Sequence, residues 1–521
     1  MTPREAASDL VLAVDASTTA CKALVFDATG RVLAEGRGAL ELFNPEPDGY
    51  EQDAEHWWTA TVSAIQQATQ QLGDAAKRVR AVCLTHQRET FVLTDRRARP
   101  IHPALVWMDA RCRDEVSQAK EQLGADTLHH LTGKPASTTP SFYKLAYVLN
   151  RQPASLSRDL RVLDVGAFLS WRLTGRCATS LASADPLGLV DMQRHDWADE
   201  LLGYLRLSRA NMPELVPAGE VLGHLDSDVA RTLGLEALPL VAGAGDGQAA
   251  GLGAGVVGPG RAYLNLGTAI VSGVLAREYR THPAFRTLYG AAPGTYFLET
   301  DLKGGTFTLN WLCEKWLANG AAPSSSLETL LGELESQAAQ LPPGADGLVL
   351  VPYWNGVMNP YWDDDATGIT LGWHGAHGPA HLYRAFLEGI AFEQRLHSRG
   401  VELATERIQE FVVMGGGAKS PLWCQILADV LERKIMRSAT HEASALGAAM
   451  LASVAAGLFP SVESAARAMA RTSDVFTSGP QQGFYARFFD EVYVGLYPQL
   501  RDALRALAQL RTQSRVFSRS K

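Results

Sequence analysis

No C-x-x-C pair occurs in this chain, and its six cysteines, Cys21, Cys83, Cys112, Cys177, Cys313 and Cys424, stand far apart. That spacing excludes a zinc ribbon and a disulfide framework, and predicts buried thiols in a reducing compartment. No run reaches the ~18 uncharged apolar residues that span a bilayer. The opening, MTPREAASDLVLAVD, lacks the cationic segment and long apolar core of a secretory signal. Basic residues are in deficit: 48 Lys and Arg against 56 Asp and Glu leave a net charge of -8, which argues against a nucleic-acid partner. The basic end, RTQSRVFSRSK, reads as a frayed terminus. A cytoplasmic protein with neither a membrane nor a nucleic-acid partner is expected. The pattern G-x-x-x-x-G-K-[ST] is missing too, so phosphate would have to be held without a P-loop. A literal G-x-G-x-x-G does occur at Gly253–Gly258, but it follows a helical run and precedes a strand, the reverse of the dinucleotide context.

What the chain has is length, apolar content and glycine. Its 521 residues, 46% hydrophobic and 20% charged, predict two or three globular domains. LVLAVDASTTACKALVFDATGRVLAEG reads as two apolar runs around a small-residue turn, with a third strand after Asp27–Gly30. DAEHWWTATVSAIQQATQQL reads as a helix capped by Asp53, and VRAVCLTHQRET as a strand ending in polar residues. PLVAGAGDGQAAGLGAG reads as a strand, a tight turn and a small-residue helix. After Gly258-Pro259-Gly260, RAYLNLGTAIVSGVL repeats the strand–polar turn–strand pattern, with Asn265–Ala269 echoing Asp15–Thr19 as a weak internal duplication. Alternating strands and helices indicate α/β layers, divided near Pro259 into residues 9–258 and 259–505. GAAPSSSLETLLGELESQAAQLPPGADG reads as a surface excursion with one helix.

Three turns rich in glycine or hydroxyl side chains follow apolar strands: Asp15–Thr19, Asn265–Ala269 and Gly415–Gly417. Amides and hydroxyls that converge at such turns make an anion cradle. One alone is an ordinary hairpin; three, two of them alike, point toward phosphate. His86-Gln87-Arg88-Glu89 closes one strand and Trp107-Met108-Asp109 the next. Arg88 and Glu89 could hydrogen-bond hydroxyls while Trp107 covers a C–H face, but a surface ion pair beside a core tryptophan reads the same. Asp363-Asp364-Asp365 lacks calcium-loop spacing and is expected in a solvated turn or cap. In VAGAGDGQAAGLGAG (241–255) one acid, Asp246, stands among residues with little side chain. A capping aspartate fits. So does a base that takes the proton of a hydroxyl as its oxygen attacks phosphorus, the glycines leaving room for both reactants.

Together these stretches resemble the FGGY carbohydrate kinases, in order and over nearly the whole chain. The resemblance rests on D-A-S-T-T-A-C-K (Asp15–Lys22), H-Q-R-E-T (His86–Thr90), W-M-D-A-R (Trp107–Arg111), S-F-Y-K-L (Ser141–Leu145), L-T-G (Leu173–Gly175), A-G-D-G-Q-A (Ala244–Ala249), N-L-G-T-A (Asn265–Ala269), E-G-I-A-F (Glu388–Phe392) and G-G-G-A-K-S-P-L-W (Gly415–Trp423). It implies two actin-like, ribonuclease-H-like domains with ATP and a small sugar or polyol in the cleft between them, and leaves a homodimer open. By motif, Asp246 would be the general base and Asp15 would position Mg²⁺. Thr18, Thr19 and Lys22 would line the first phosphate loop, and Gly267 and Thr268 the second. Gly416, Gly417 and Ala418 would lie near the adenosine, and Arg88, Glu89 and Trp107 would face the sugar. Ser17 stands where the family's first loop usually has glycine. Acceptor signals diverge. His86–Glu89 and Pro360–Trp362 resemble glycerol-phosphorylating members, Trp107–Cys112 resembles xylulose-phosphorylating ones, and the Arg-Glu pair also occurs in autoinducer-2 kinases. A pentulose, D-xylulose first, is the expected acceptor; glycerol or another polyol, an autoinducer-2-type acceptor and a non-sugar actin-like ATPase are the alternatives.

Overall fold

Leu10–Ala16, Ala20–Phe26 and Val32–Ala39, built from small and β-branched apolar residues, form an antiparallel meander of strands β1, β2 and β3. The computed structural model describes residues 9–152, 159–317, 326–354 and 356–519. Strand β4 (Val79–His86) runs parallel to β1. With β5 (Val221–His224) and β6 (Pro239–Gly245) it completes a six-stranded sheet of order β5-β6-β4-β1-β2-β3. A second sheet holds β7 (Arg261–Leu266), β8 (Ile270–Ala276), β9 (Arg286–Tyr289), β10 (Tyr296–Leu302), β11 (Glu410–Met414), β12 (Lys434–Ser438) and β13 (Thr472–Phe476). Its order is β9-β10-β8-β7-β11-β12-β13. In each sheet an antiparallel trio continues into parallel strands, so β3-β2-β1-β4-β6 is matched by β10-β8-β7-β11-β12. The echo of Asp15–Thr19 in Asn265–Ala269 is the trace of this likeness, since those turns join β1 to β2 and β7 to β8.

Six helices matter for the site: α1 (Ala54–Leu72), α2 (Asp246–Gly253), α3 (Pro379–Glu402), α4 (Pro421–Leu431), α5 (Ala443–Ala455) and α6 (Val494–Arg519). Helix α1 starts where Asp53 accepts the Glu55 amide and packs on β2 and β3. Helices α2 and α5 cross with their backbones almost touching. A Cβ on Gly253 would lie 1.9 Å from the Ala443 carbonyl oxygen, and one on Gly447 1.9 Å from that of Ala249. The crossing exchanges partners between the sheets: α5 packs on β1, β4 and β6, while Gly251 of α2 lies against Phe297 and Tyr263 of the second sheet.

Several expectations change. No tight turn separates strand from helix after Val241, because β6 ends at Gly245 and α2 begins at Asp246 itself. Asp363 is buried rather than solvated: α6 folds over it, and Tyr497 Oη donates to its carboxylate at 2.8 Å. The C-terminal residues continue α6 to Arg519 instead of fraying. The surface excursion carries its helix at Leu327–Ala338; its residues 320–325 lie outside the described residues. All six cysteines are free and five are buried. Among the described residues no helix is long and apolar enough to cross a membrane.

Candidate active site

Register levels the ends of three parallel strands: Ala16 pairs with His86, and His86 with Gly245. Asp15, residues 86–89 and Asp246 therefore share one edge of the first sheet, beyond the carboxyl ends of its strands, where open α/β sheets bind ligands. Lys22 is the cross-strand partner of Asp15. In the second sheet Asn265 pairs with Met414, so the turns at Gly267 and Gly415 lie side by side. A Cβ on Gly415 would sit 2.4 Å from Asn265 Oδ1.

Asp246 opens α2, and its Oδ1 accepts the Gly247 amide at 2.8 Å. Arg88 Nε lies 3.1 Å from the same oxygen, while the Asp246 side chain keeps 39% of its exposure. The surrounding protein pushes this carboxyl above its ordinary range and Glu89 adds to the push; Arg88 opposes it. A carboxylate that is accessible, oriented and inclined toward its protonated form can receive a proton from a neighbouring hydroxyl.

Arg88 and Glu89 do not pair with each other. Arg88 Nη1 donates to both oxygens of Glu299 at 2.9 Å, and Glu89 Oε1 accepts from Arg286 Nη1 at 2.7 Å. Arg286 also reaches Glu299 at 2.6 Å and Asp301 at 2.9 Å, and Tyr263 Oη donates to Glu299 at 2.7 Å. Arg88 and Glu89 come from the first half of the chain, Arg286, Glu299 and Asp301 from β9 and β10. Two crossed ion pairs therefore tie the halves together beside Asp246, and every member is buried. The guanidinium groups hold Glu299 down at about 2 despite its burial.

Asp15 Oδ1 is buried with no hydrogen-bond partner. Burial raises its carboxyl to about 7, Asp246 and Glu442 push the same way, and Lys22 opposes them. Lys22 Nζ is held by Glu442 Oε1 at 2.6 Å, a contact between the two halves of the chain. An orphaned, buried carboxylate oxygen is a hard donor of the kind a divalent cation takes. Asp246 and Glu442 act on it through their charge and, among the described residues, do not close with it into a compact three-ligand group.

The other expected site residues divide. Trp107 Nε1 donates to Thr18 Oγ1 at 3.0 Å, and Thr18 Oγ1 donates to Gln87 Oε1 at 3.1 Å, so the Thr18 hydroxyl is bound into the Trp107 wall. Thr19 and Thr268 are exposed at their turns, and Gly267 is half-buried with its carbonyl accepting from the Thr306 amide at 2.8 Å. Gly416 faces open space, whereas Gly417 and Ala418 are buried, Gly417 against Trp423. The glycines around Asp246 make room for protein: a Cβ on Gly243 would lie 1.7 Å from the Leu84 carbonyl oxygen, one on Gly245 2.4 Å from Arg88, and one on Gly247 2.8 Å from Arg88 and 2.9 Å from Glu299. Their purpose is close packing around Arg88 and at the helix crossing, not the reactant space expected from sequence.

Arg286, Glu299, Asp301 and Glu442 escape a reading by motif. A signal for two of them exists in YFLETDL (296–302), where Glu299 and Asp301 fall on one face of a strand whose seven residues are all buried. Acids are placed so only when cations meet them.

Two like sheets, a helix crossing between them and carboxylates gathered at the strand ends define a two-domain α/β protein of the actin-like class. Residues 10–253 match the FGGY family of carbohydrate kinases, N-terminal domain, and residues 262–456 match the FGGY family of carbohydrate kinases, C-terminal domain. The chain belongs to the FGGY family of carbohydrate kinases and is a phosphotransferase. It is 31% identical over 472 residues to the glycerol kinase of Acidovorax sp. (strain JS42), covering 87% of this chain and 92% of that one. To the xylulose kinase of Escherichia coli (strain K12) it is 30% identical over 455 residues, covering 86% and 90%. The crystal structure of xylulose kinase from Rhodospirillum rubrum matches it with a TM-score of 0.88 at 28% identity, over 95% of this chain and 99% of that one.

Proposed function

We propose that this kinase transfers the γ-phosphoryl group of ATP to a terminal hydroxyl of a small sugar or polyol, with a pentulose such as D-xylulose as its acceptor and the cytoplasm as its location. The observation that carries this reading is the placement of Asp246: exposed to the cleft, 3.1 Å from Arg88 and on the same sheet edge as Asp15. Asp246 accepts the hydroxyl proton as the oxygen forms its bond to phosphorus and the bond to the ADP oxygen breaks. Arg88 keeps the carboxylate turned toward the acceptor. Glu89 accepts a sugar hydroxyl, and Trp107, fixed by Thr18, covers the apolar face. Lys22, Thr19 and the turn at Gly267 and Thr268 receive the phosphates; Gly416 borders the adenosine, with Gly417 and Ala418 supporting that turn from beneath. Asp15 would hold Mg²⁺, and its orphaned oxygen fits that role. Bound with ATP, the ion would offset charge developing on the transferred group. The residues assigned to the acceptor and the base come from 9–258, and the second phosphate turn and the adenosine turn from 259–505.

A glycerol or polyol acceptor is the second reading, supported by the His86–Glu89 motif and the glycerol kinase relatives. A coupled ADP-release assay over D-xylulose, D-ribulose, erythritol, glycerol and gluconate, with ATP alone as control, separates the readings. Release stimulated by D-xylulose about a hundredfold over ATP alone is expected. Release that no acceptor changes would mark an actin-like ATPase instead.

A further inference from the structure

Of the donors around Asp246, those of Arg286 are the most fully used. Its Nη1 meets Glu89 at 2.7 Å, its Nη2 Glu299 at 2.6 Å, and its Nε both Glu299 and Asp301 at 2.9 Å. The side chain is only 5% exposed, so the whole guanidinium serves the protein. Glu89, in turn, has a left-handed backbone (φ 50) that residues other than glycine rarely adopt. Something must hold it there. Lys144 Nζ donates to its carbonyl at 3.5 Å and Arg286 binds its carboxylate. The two anchors fix both the backbone and the carboxylate of Glu89, whose side chain is 6% exposed.

Charge adds a second consequence. The four cations of the pocket, Arg88, Arg286, Lys134 and Lys144, face five carboxylates: Glu89, Asp185, Asp246, Glu299 and Asp301. Arg286 and Arg88 are each ion-paired with Glu299, and Arg286 also with Asp301, so the carboxylates of the site outnumber the cations that meet them. Lys134 is spent on Asp185 at 3.2 Å, and Lys144 on the carbonyls of Glu89 and Thr139. Among the described residues each of these four cations already meets a carboxylate or a carbonyl of the protein, and a ligand carboxylate would lie among five others.

We propose that Arg286 is a positioning residue for the acceptor: it fixes Glu89 as a hydroxyl-binding group and consumes the positive charge an anionic acceptor would need, so the acceptor is an uncharged polyol or ketose and aldonates are rejected. This rests on the kinase reading above. It assigns acceptor choice to a strand of the second half of the chain, 197 residues from the Glu89 it controls.

The test uses the full chain with D-xylulose, glycerol and D-gluconate, reading ADP release and, independently, acceptor binding by calorimetry. Wild-type protein is expected to bind and phosphorylate a neutral acceptor, with gluconate at least about a hundredfold worse in kcat/KM because like charge is costly in a closed pocket. Arg286→Met is expected to raise the neutral acceptor's KM by about tenfold or more, with the ATP KM unchanged. Arg286→Lys keeps one charge without the fork and is expected to fall between the two; it carries the test if Arg286→Met does not fold. Neutral acceptors turned over alongside gluconate within about tenfold would overturn the specificity claim and leave the kinase reading standing. An acceptor KM that moves only together with the ATP KM would overturn the positioning role. If wild-type protein neither binds nor phosphorylates any neutral acceptor, both fall.

Discussion

Lys22 Nζ stands 2.6 Å from Glu442 Oε1, an ion pair that joins the two halves of the chain. The side chains keep 33% and 27% of their exposure, so the pair adds only ~0.2–1 kcal/mol to folding. On the proposed assignment of Lys22 to the phosphates, the pair bears on nucleotide binding, because Glu442 holds that ammonium and adds negative charge beside it. Glu442→Gln is expected to lower the ATP KM several-fold and to leave the acceptor KM and thermal midpoint nearly unchanged. Steady-state kinetics with each substrate varied check this; an ATP KM that rises would mean that Glu442 supports the nucleotide.

The helix crossing transmits geometry to the site, since Asp246 opens α2 and Glu442 immediately precedes α5. A methyl at Gly447 would meet a backbone carbonyl at 1.9 Å, and backbone cannot rotate away. Gly447→Ala is expected to cost about 1–3 kcal/mol in denaturant unfolding, as overpacking does. It is also expected to reduce kcat by up to about a hundredfold, since small displacements of reacting groups are that costly.

Thr18 distinguishes a phosphate-loop residue from a support of the acceptor wall. Thr18→Val removes the acceptor of the Trp107 indole and the donor to Gln87. An unpaired indole N–H costs about 1–3 kcal/mol. The acceptor KM is expected to rise about tenfold while the ATP KM stays within a factor of about two. The reverse pattern would return Thr18 to the phosphates.

Glu393 and His397, buried on α3, give a pH signature. Burial raises Glu393 from 4.5 to about 7 and lowers His397 from 6.5 to about 4. Between pH 4.5 and 6.5 the folded chain keeps one proton on Glu393, whereas the unfolded chain keeps one on His397. Proton counts are equal, so the pair contributes no slope there. His397→Gln leaves only the raised acid: the folded state then holds more protons, and stability is expected to fall as pH rises through that window. Glu393→Gln leaves only the lowered histidine, and stability is expected to rise with pH. Each slope is at most about 1.4 kcal/mol per pH unit, readable from denaturant midpoints. Parallel slopes in the two variants would contradict the paired titration.

Much of this architecture is legible in sequence. The apolar strands that run into Asp15, His86–Glu89 and Asp246 are each readable from sequence, and the echo of Asp15–Thr19 in Asn265–Ala269 points to a second unit of like pattern. That register levels those strand ends at one edge is seen only in the fold. Contacts between the halves are not legible. Arg88 and Glu299 lie 211 residues apart, and no local pattern says that a strand acid and a turn arginine will meet. The glycines of 241–255 mislead for the same reason: what approaches them is Arg88, Phe297 and the Ala443 carbonyl, all brought in by tertiary packing. The bonds of Thr18 to Trp107 and Gln87 are likewise not legible, because a turn hydroxyl can bond to a side chain 89 residues away.

The role of Asp246 is tested most directly by Asp246→Asn, which keeps the shape of the side chain and removes its basicity. Single-turnover phosphoryl transfer with saturating acceptor is expected to slow by about 10²–10⁴-fold, the usual worth of a positioned base. ATP affinity, measured by calorimetry on the same preparation, is expected to stay within a factor of about three. Transfer at a near wild-type rate would contradict the assignment of Asp246 as the base.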